Sequence, residues 1–220
     1  MPQPPGVSPR RVNAAAPSRS RYSATLTGGP LMLPESRRIA ALRLQSPTLA
    51  EWRQAIGPDN LLQKNSPATA VRLAGLIRDR LDTLPRVAWE IVANGSQEAA
   101  TQTLLAAALF HSALLADFMH DVLLAHHRRF DNTLSRRAWE PFLADCAARD
   151  TGVDVWTAAT RAKLWQVIVR ILVEARYLDA PRTLRLRTPG VHPDLARLLK
   201  SLGENKMIDL LELQPLHACP

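Results

Sequence analysis

The segment at residues 99–116, AATQTLLAAALFHSALLA, has no Asp, Glu, Lys or Arg and constrains the fold more than any other feature. Its 18 residues reach the lower length limit for a helix that spans a membrane. Polar side chains recur along it, and Asp117 and Asp121 follow on the same predicted helix, at high cost inside a bilayer. We therefore expect a central helix buried within the protein, and no membrane association.

The other apolar segments are bounded by capping signals typical of helices. Thr48 and Glu51 have the spacing of a capping box, and Ser66 precedes Pro67 at a predicted helix start. Helices are expected at about 34–45, 48–56, 66–81, 84–95, 96–130 (two helices or one bent helix), 133–150, 157–179 and 192–203. In contrast, APRTLRLRTPG, which we call the arginine segment (residues 180–190), alternates leucine with arginine and predicts a short β-hairpin.

These patterns predict an all-α fold. We expect a globular multi-helix protein with two helix-turn-helix-like units around a central helical core, the C-terminal unit being winged by the hairpin. The expected divisions are a disordered basic lead-in at 1–21, an N-terminal helix-turn-helix-like region at 22–95, the core at 96–132, a C-terminal winged-helix-like region at 133–203 and a tail at 204–220.

The net charge is +8, which favours acidic partners such as nucleic acid. Its distribution is uneven: residues 1–43 carry +6 and residues 161–187 carry +5, whereas the long middle is close to neutral. The two cysteines, Cys146 and Cys219, lie far apart with no nearby cysteine or histidine ligand pattern. A reducing, cytoplasmic compartment is the expected location.

The helix from Ser66 to Leu81 is the first candidate binding element. Its apolar face is Ala70, Leu73, Ala74, Ile77 and Leu81, and Arg78 and Arg80 are expected to flank the opposite, exposed face. As the third helix of a helix-turn-helix it would present Lys64, Asn65, Ser66, Thr69 and Arg72 to DNA. The alternative is a trihelical packing unit whose arginines are solvated.

The second candidate is the helix that starts at Thr157, together with the predicted hairpin. Arg161 lies at its beginning, and Lys163, Gln166 and Arg170 form a polar stripe opposite the apolar one. In the hairpin, Arg182, Arg185 and Arg187 could contact a phosphate backbone. The alternative is a stable helix followed by a solvated hairpin.

Signals for catalysis are poor, since no phosphate-binding, nucleotide-binding, nucleophile-elbow or zinc-protease motif is present. Asp117, His120 and Asp121 share a helical neighbourhood but are better explained as polar groups at helix contacts than as metal ligands. Cys146 lies among apolar neighbours and is expected to be buried and inert. We expect a protein without enzymatic activity, cofactor or metal.

Three segments resemble the BrxA family of bacteriophage-exclusion (BREX) systems. YSATLTGGPLMLPESRRIA, NLLQKNSPATAVRLAGLIRDRL and LLAAALFHSALLADFMHDV occur in the family's order, and the resemblance covers roughly residues 22–187. It is most specific in LTGGPLMLPE and LLQKNSPAT.

The resemblance implies a small helical defence protein without known catalysis that binds double-stranded DNA. It would act beside a methyltransferase and ATPases as a monomer or weak oligomer. No family motif assigns contact residues, so the candidates above rest on geometry alone. Two alternatives remain open: a protein–protein scaffold of the defence complex, and an RNA-binding module similar to the antitermination factor NusB.

Overall fold

A computed structural model describes residues 20–214, and every regular element in that range is helical. The α-helices are α1 (Leu33–Leu44), α2 (Leu49–Ile56), α3 (Pro67–Leu81), α4 (Arg86–Asn94), α5 (Gln97–His111), α6 (Ala113–Asp117), α7 (Leu124–Arg128), α8 (Trp139–Arg149), α9 (Ala158–Glu174), α10 (Pro193–Ser201) and α11 (Asn205–Leu211). A π-helical segment, Phe118–Leu123, joins α6 to α7. The all-α prediction is confirmed.

The central helix α5 is buried, as its lack of charge predicts. Residues 99–109 are all buried, and α5 packs against α1, α3, α4 and α10. Its polar side chains find partners: the Thr103 hydroxyl donates to the Ala99 carbonyl at 2.8 Å, and the Gln102 amide donates to the Gly190 carbonyl at 2.8 Å. These bonds remove the penalty of burying unpaired polar atoms, so an uncharged but partly polar helix can form the core.

The helix bends by 109° just after α5. At the break, Ser112 leaves the helical conformation, and its hydroxyl accepts a hydrogen bond from the Leu115 amide at 3.4 Å. Within residues 20–214 no single helix is both long and apolar enough to cross a membrane, and only the bent pair of α5 with residues 113–128 meets those criteria together. The sequence left open two helices or one bent helix, and Ser112 is the point where they divide.

An aromatic cluster joins α8 and α9 to the π-helical segment. The Phe118 ring lies edge-on to Phe142 at a centroid distance of 5.3 Å, to Trp139 at 5.8 Å and to Trp165 at 6.1 Å. Such edge-to-face contacts stabilise a core beyond the area they bury. They fix α9 against the bent helix and leave its opposite face to solvent.

The predicted caps are found where the sequence places them. Thr48 and Glu51 form the capping box of α2, and the Ser66 hydroxyl accepts from the Thr69 amide at the start of α3. The Thr157 hydroxyl likewise accepts from the Thr160 amide at the start of α9. Each bond satisfies an amide that the helix itself leaves unpaired.

The predicted β-hairpin is wrong. The arginine segment begins with a turn, closed by the Leu184 amide donating to the Ala180 carbonyl at 3.0 Å, but it forms no pair of regular strands. It makes isolated antiparallel bridges, Leu186 to Leu178 on one side and Arg185 to Thr133 on the other. Leu184 and Leu186 are half-buried against the core between exposed arginines, which explains the alternation. Leu184 has a left-handed backbone with φ of 51°, so the segment is not a regular strand there.

The two ends of the chain lie mostly outside the described residues. The disordered lead-in predicted for residues 1–21 falls there up to residue 19, but Ser20 and Arg21 are described and hydrogen-bonded. Within the predicted tail, residues 205–211 form α11, which the sequence did not predict, and residues 215–220 are outside the described part.

Candidate nucleic-acid interface

The loop from Gly28 to Met32 lies between α3 and α9, the helices that carry most of the predicted contacts. A Cβ atom on Gly28 would come within 2.8 Å of Leu76 Cδ2 on α3. One on Gly29 would come within 2.9 Å of Met32 Sδ. Glycine therefore allows this loop to approach α3 closely. We call it the Gly28–Met32 loop.

Arg80 holds the loop from α3, contrary to the exposed position that the sequence predicted. It is 3% exposed, and its guanidinium donates from Nη1 to the Pro30 carbonyl at 2.5 Å and from Nη2 to the Gly29 carbonyl at 2.8 Å. Burial lowers the pKa of Arg80 to about 10, against the opposing effect of the Glu174 charge. A buried cation is tolerated here because carbonyl oxygens accept from it.

Glu174 holds the same loop from α9. One carboxylate oxygen accepts from the Leu31 amide at 2.9 Å, while the other lies 3.8 Å from Arg170 Nε. Burial raises the pKa of Glu174, and the Leu31 amide and Arg170 oppose that rise. The two helices are thus connected through one loop rather than by direct packing.

The candidates at the start of α3 are mixed in their surroundings. Asn65 and Ser66 are exposed, and Thr69 is half-buried. Lys64 is half-buried and paired, because its Nζ lies 2.6 Å from Glu35 Oε1. Burial raises the pKa of Glu35, but Lys64 outweighs that effect and the pKa falls below its ordinary value.

Arg72 is exposed, and one guanidinium nitrogen donates to the Gly28 carbonyl at 2.9 Å. It therefore lies beside the Gly28–Met32 loop with most of its five N–H groups still available. Of the α3 candidates, it combines exposure with a fixed position.

On α9 the predicted division into faces is found. Leu164, Ile168, Ile171 and Leu172 are buried, and Lys163, Gln166 and Arg170 are exposed. Arg161 departs from this pattern: it is half-buried, donates to the Trp156 carbonyl at 3.3 Å and lies 3.6 Å from Glu140. The positive charge of Arg161 is therefore already partly balanced by Glu140 when no ligand is bound.

The arginine segment keeps its charges outward although it is not a hairpin. Arg182, Arg185 and Arg187 are all exposed. Asp179 shapes the turn, since its Oδ1 accepts from the Ala180 amide at 2.6 Å, the Thr183 hydroxyl at 2.5 Å and the Arg185 amide at 2.9 Å. The Thr183 hydroxyl and these amides lower the pKa of Asp179 despite the opposing effect of desolvation.

Two groups of candidates meet at one cleft. Arg170 and Glu35 line an opening of about 460 Å³ together with the Gly28–Met32 loop, and Lys64 is paired with Glu35. Lys64, Arg72 and Arg170 are therefore gathered around this loop. Lys163 lies about 10 Å further along α9, two turns before Arg170.

The structure adds a polar network that the sequence did not reveal. Asp117 accepts from the Tyr22 hydroxyl at 2.6 Å and pairs with Arg21 at 2.8 Å and Arg149 at 3.1 Å. Asp150 accepts from the Ser20 hydroxyl at 2.6 Å and the Tyr22 amide at 2.9 Å. Ser20, Arg21 and Tyr22 are about 95 to 130 residues from their partners in sequence, and Arg149 is 32 residues from Asp117, so no local signal marks the network.

The structure also gives surroundings to the polar residues and the cysteine for which no binding or catalytic role was expected. Asp121 pairs with Arg149 at 2.8 Å and His120 at 2.8 Å, as expected of polar groups at helix contacts. In residues 20–214 no three histidine, cysteine or acidic side chains are grouped to hold a metal ion. Cys146 is buried, and burial raises its pKa to about 11.

Fold and surface define the class: an all-helical protein built on a buried bent helix, with an exposed row of basic side chains on α9 and the segment that follows it. The family model for BrxA matches residues 20–203. The chain belongs to the BrxA family, whose members serve in BREX phage defence.

Individual relatives agree over nearly their whole length. The chain is 39% identical over 193 residues to the BREX protein BrxA of Paramagnetospirillum magneticum, covering 88% of this chain and 97% of that one. It is 36% identical over 187 residues to BREX protein BrxA of Escherichia coli O9:H4, covering 85% and 88%. The crystal structure of an uncharacterized protein from Magnetospirillum magneticum superposes with a TM-score of 0.81 at 36% identity, covering 88% of this chain and all of that one.

Proposed function

We propose that this protein is a non-enzymatic, DNA-binding component of a BREX system that contacts duplex DNA mainly through its phosphate backbone. One observation carries the proposal. Between residues 158 and 190 six basic side chains are exposed, whereas both acidic ones are partly buried and accept from backbone amides. The basic residues are Lys163, Arg170, Arg176, Arg182, Arg185 and Arg187, and the acidic ones are Glu174 and Asp179.

The exposed charges of this region are therefore mostly positive, although Glu174 lies 3.8 Å from Arg170. Each phosphate that a lysine or arginine neutralises releases condensed counterions, so such a surface binds duplex DNA without reading its sequence. Lys163, Gln166 and Arg170 recur at intervals of three and four residues, which places them in a row along one side of α9. In this proposal α9 and the arginine segment supply most of the affinity.

The start of α3 would supply a smaller share. α3 packs against both α1 and α2, which precede it in the order that a helix-turn-helix would have, and Asn65 and Ser66 are exposed at the end that would face the DNA. However, Glu35 neutralises Lys64. We therefore propose polar and Arg72 contacts here rather than a strong electrostatic anchor, with the Gly28–Met32 loop setting the distance to α9.

The test is a salt series measured by fluorescence anisotropy with a labelled duplex of about 20 base pairs. We expect affinity to fall steeply between about 50 and 200 mM salt. The Lys163→Gln, Arg170→Gln double variant should weaken binding and reduce the salt slope by about two, since two phosphate contacts are lost. Arg53→Gln with Arg197→Gln, two exposed arginines on α2 and α10, is the matched control and should keep the parent slope.

Three results would contradict the proposal. Affinity that does not change with salt would exclude phosphate contacts. An equal loss in the control variant would point to overall charge instead of α9. Undetectable duplex binding, together with capture of other BREX proteins that survives nuclease treatment, would favour the scaffold, and preference for RNA over the duplex would favour the antitermination-like module.

A further inference from the structure

A groove lined by two tryptophans and two arginines lies away from the surface described above. Its volume is about 430 Å³, and it is formed by the α1–α2 turn and by side chains of α1 to α4. Trp52 of α2 and Trp89 of α4 are half-buried, and Leu49 beside them is 64% exposed. We call it the tryptophan groove.

The arginines of the groove lie over its aromatic rings. The Arg43 guanidinium carbon is 4.5 Å from the centroid of the Trp89 ring, and that of Arg78 is 5.9 Å from the Trp52 ring. A hydrogen bond fixes the position of the Trp89 ring, because its Nε1 donates to the Leu81 carbonyl at 2.9 Å. Flat, positively charged groups and indole faces are therefore presented together.

The charge of the groove selects an anionic ligand. Of the described residues that line it, Arg43 and Arg78 are basic and none is acidic. Each arginine does pair with an aspartate outside the lining, Arg43 with Asp82 and Arg78 with Asp79. Arg43 is half-buried at 24% exposure, but Asp82 and Asp79 are 42% and 53% exposed, so an incoming phosphate competes with solvated aspartates for guanidinium N–H groups that are not all used.

We propose that the tryptophan groove binds an unpaired nucleotide of a nucleic-acid strand, with the base stacked on an indole and the phosphate held by Arg43 or Arg78. Stacking on aromatic faces accepts any base, and arginine adds a cation–π contribution. An extended peptide would need partners for its backbone, but the groove offers few, since the Thr48 hydroxyl already caps α2. This site is separate from the duplex-binding surface proposed above.

The experiment is photo-cross-linking of the whole chain to oligonucleotides of about 12 residues that contain 5-iodouracil, with one DNA and one RNA version. Mass spectrometry of the digest locates the adduct. We expect adducts on Trp52 or Trp89, and the arm that gives the higher yield identifies the strand type. Adducts confined to residues outside the groove would overturn the proposal.

Variants give an independent test by anisotropy. Trp52→Leu and Arg78→Gln should each weaken binding of the single strand, the tryptophan change by about tenfold or more. Trp52→Phe keeps a stacking face and should bind nearly as the parent. Arg136→Gln, an exposed arginine outside the groove, is the control and should have no effect.

Two results in the variants would count against the site. A folded Trp52→Leu protein that binds the single strand as tightly as the parent would reject it. So would protection of Trp52 by an acidic peptide but not by either oligonucleotide. Duplex binding serves as a separate readout: Trp52→Leu should leave it intact, which distinguishes failure of this site from failure of the α9 surface.

Discussion

Arg80 and Glu174 bind the same peptide group of one loop, Arg80 at the Pro30 carbonyl and Glu174 at the Leu31 amide. Arg80 of α3 donates to the carbonyls of Gly29 and Pro30, and Glu174 of α9 accepts from the amide of Leu31. The carbonyl oxygens of Gly29 and Pro30 therefore accept from a cation, and the Leu31 amide donates to an anion. This arrangement couples the two helices that carry the proposed DNA contacts.

Replacing Arg80 should be costly. Arg80→Met preserves much of the volume but leaves two carbonyls without donors and removes the charge opposite Glu174. We expect a loss of about 3 kcal/mol in the free energy of unfolding, seen as a fall in Tm of about 6–12 °C. Arg78→Met, two residues away on the more exposed side of α3, is the control and should cost much less. Equal losses would mean that the buried guanidinium has no special role.

Two glycines should respond in opposite directions. Gly28→Ala places a methyl group 2.8 Å from Leu76 Cδ2, so the end of that half-buried side chain must move, and the change should cost up to about 1 kcal/mol. Gly75→Ala, within α3 and with nothing inside 4 Å of the added atom, should stabilise by about 0.5–1 kcal/mol. Urea unfolding curves of the two variants measure both. A stable Gly28→Ala protein would show that the loop does not need its close approach to α3.

The contact of Ser20 and Tyr22 with Asp150 should depend on acid. Hydrogen bonds from the Ser20 hydroxyl and the Tyr22 and Gly152 amides lower the pKa of Asp150 to about 2. Because the pKa in the folded state lies below the unfolded value of about 3.9, this contact stabilises the folded state fully at pH values above about 3.9. It is lost as the pH falls towards 2.

Hydrogen exchange measures this directly at the Tyr22 amide. Its protection, corrected for intrinsic rates, should fall between about pH 4 and 2 in the parent. In Asp150→Asn it should already be reduced at neutral pH. Protection that is the same in both proteins at pH 6 would contradict the role given to Asp150.

Cys146 should be nearly unreactive in the folded protein. Burial raises its pKa to about 11, against about 8.5 for a free thiol, which lowers the thiolate fraction about 300-fold near neutral pH. In a Cys219→Ser variant, Cys146 is the remaining thiol, and its alkylation rate can be compared with and without denaturant. A folded rate within tenfold of the unfolded one would contradict its burial.

Reversing two charges of the arginine segment tests its share of the affinity. Arg182→Glu with Arg185→Glu should weaken duplex binding and flatten the salt dependence by about two or more in slope. Arg53→Glu with Arg197→Glu changes the net charge by the same amount elsewhere and is the control. Duplex binding that survives the first pair unchanged would exclude the segment from the interface.

The sequence predicted what is determined locally. Ser66 and Thr157 cap their helices as expected, because a cap involves residues only three positions apart. The apolar face of α3 was likewise correct. In contrast, α11 was missed because it is short and because Glu204, the residue before its first turn, makes no side-chain cap.

Long-range partners account for the errors. Arg80 was expected at the surface, but the carbonyls that it contacts are 50 and 51 residues away in sequence. The leucines of the arginine segment correctly indicated half-buried side chains, but not the turn before Leu184 or that the bridge partners would be residues 178 and 133. The exposure of Lys163 and Arg170 follows from the local helical pattern and could be predicted. The pairing of Lys64 with Glu35 joins residues that are distant in sequence and could not.

The break at Ser112 determines how compact the molecule can be. A straight helix from residue 97 to residue 128 would be about 48 Å long, a rod that exceeds the diameter expected of a body of this size. Because the helix axis bends by 109°, the same residues form two shorter arms, each with an inner face. The arm before the bend packs against α1, α3, α4 and α10, and the arm after it packs against α8. The bend at Ser112, capped by its hydroxyl, therefore allows one apolar stretch of sequence to pack in both halves of the protein.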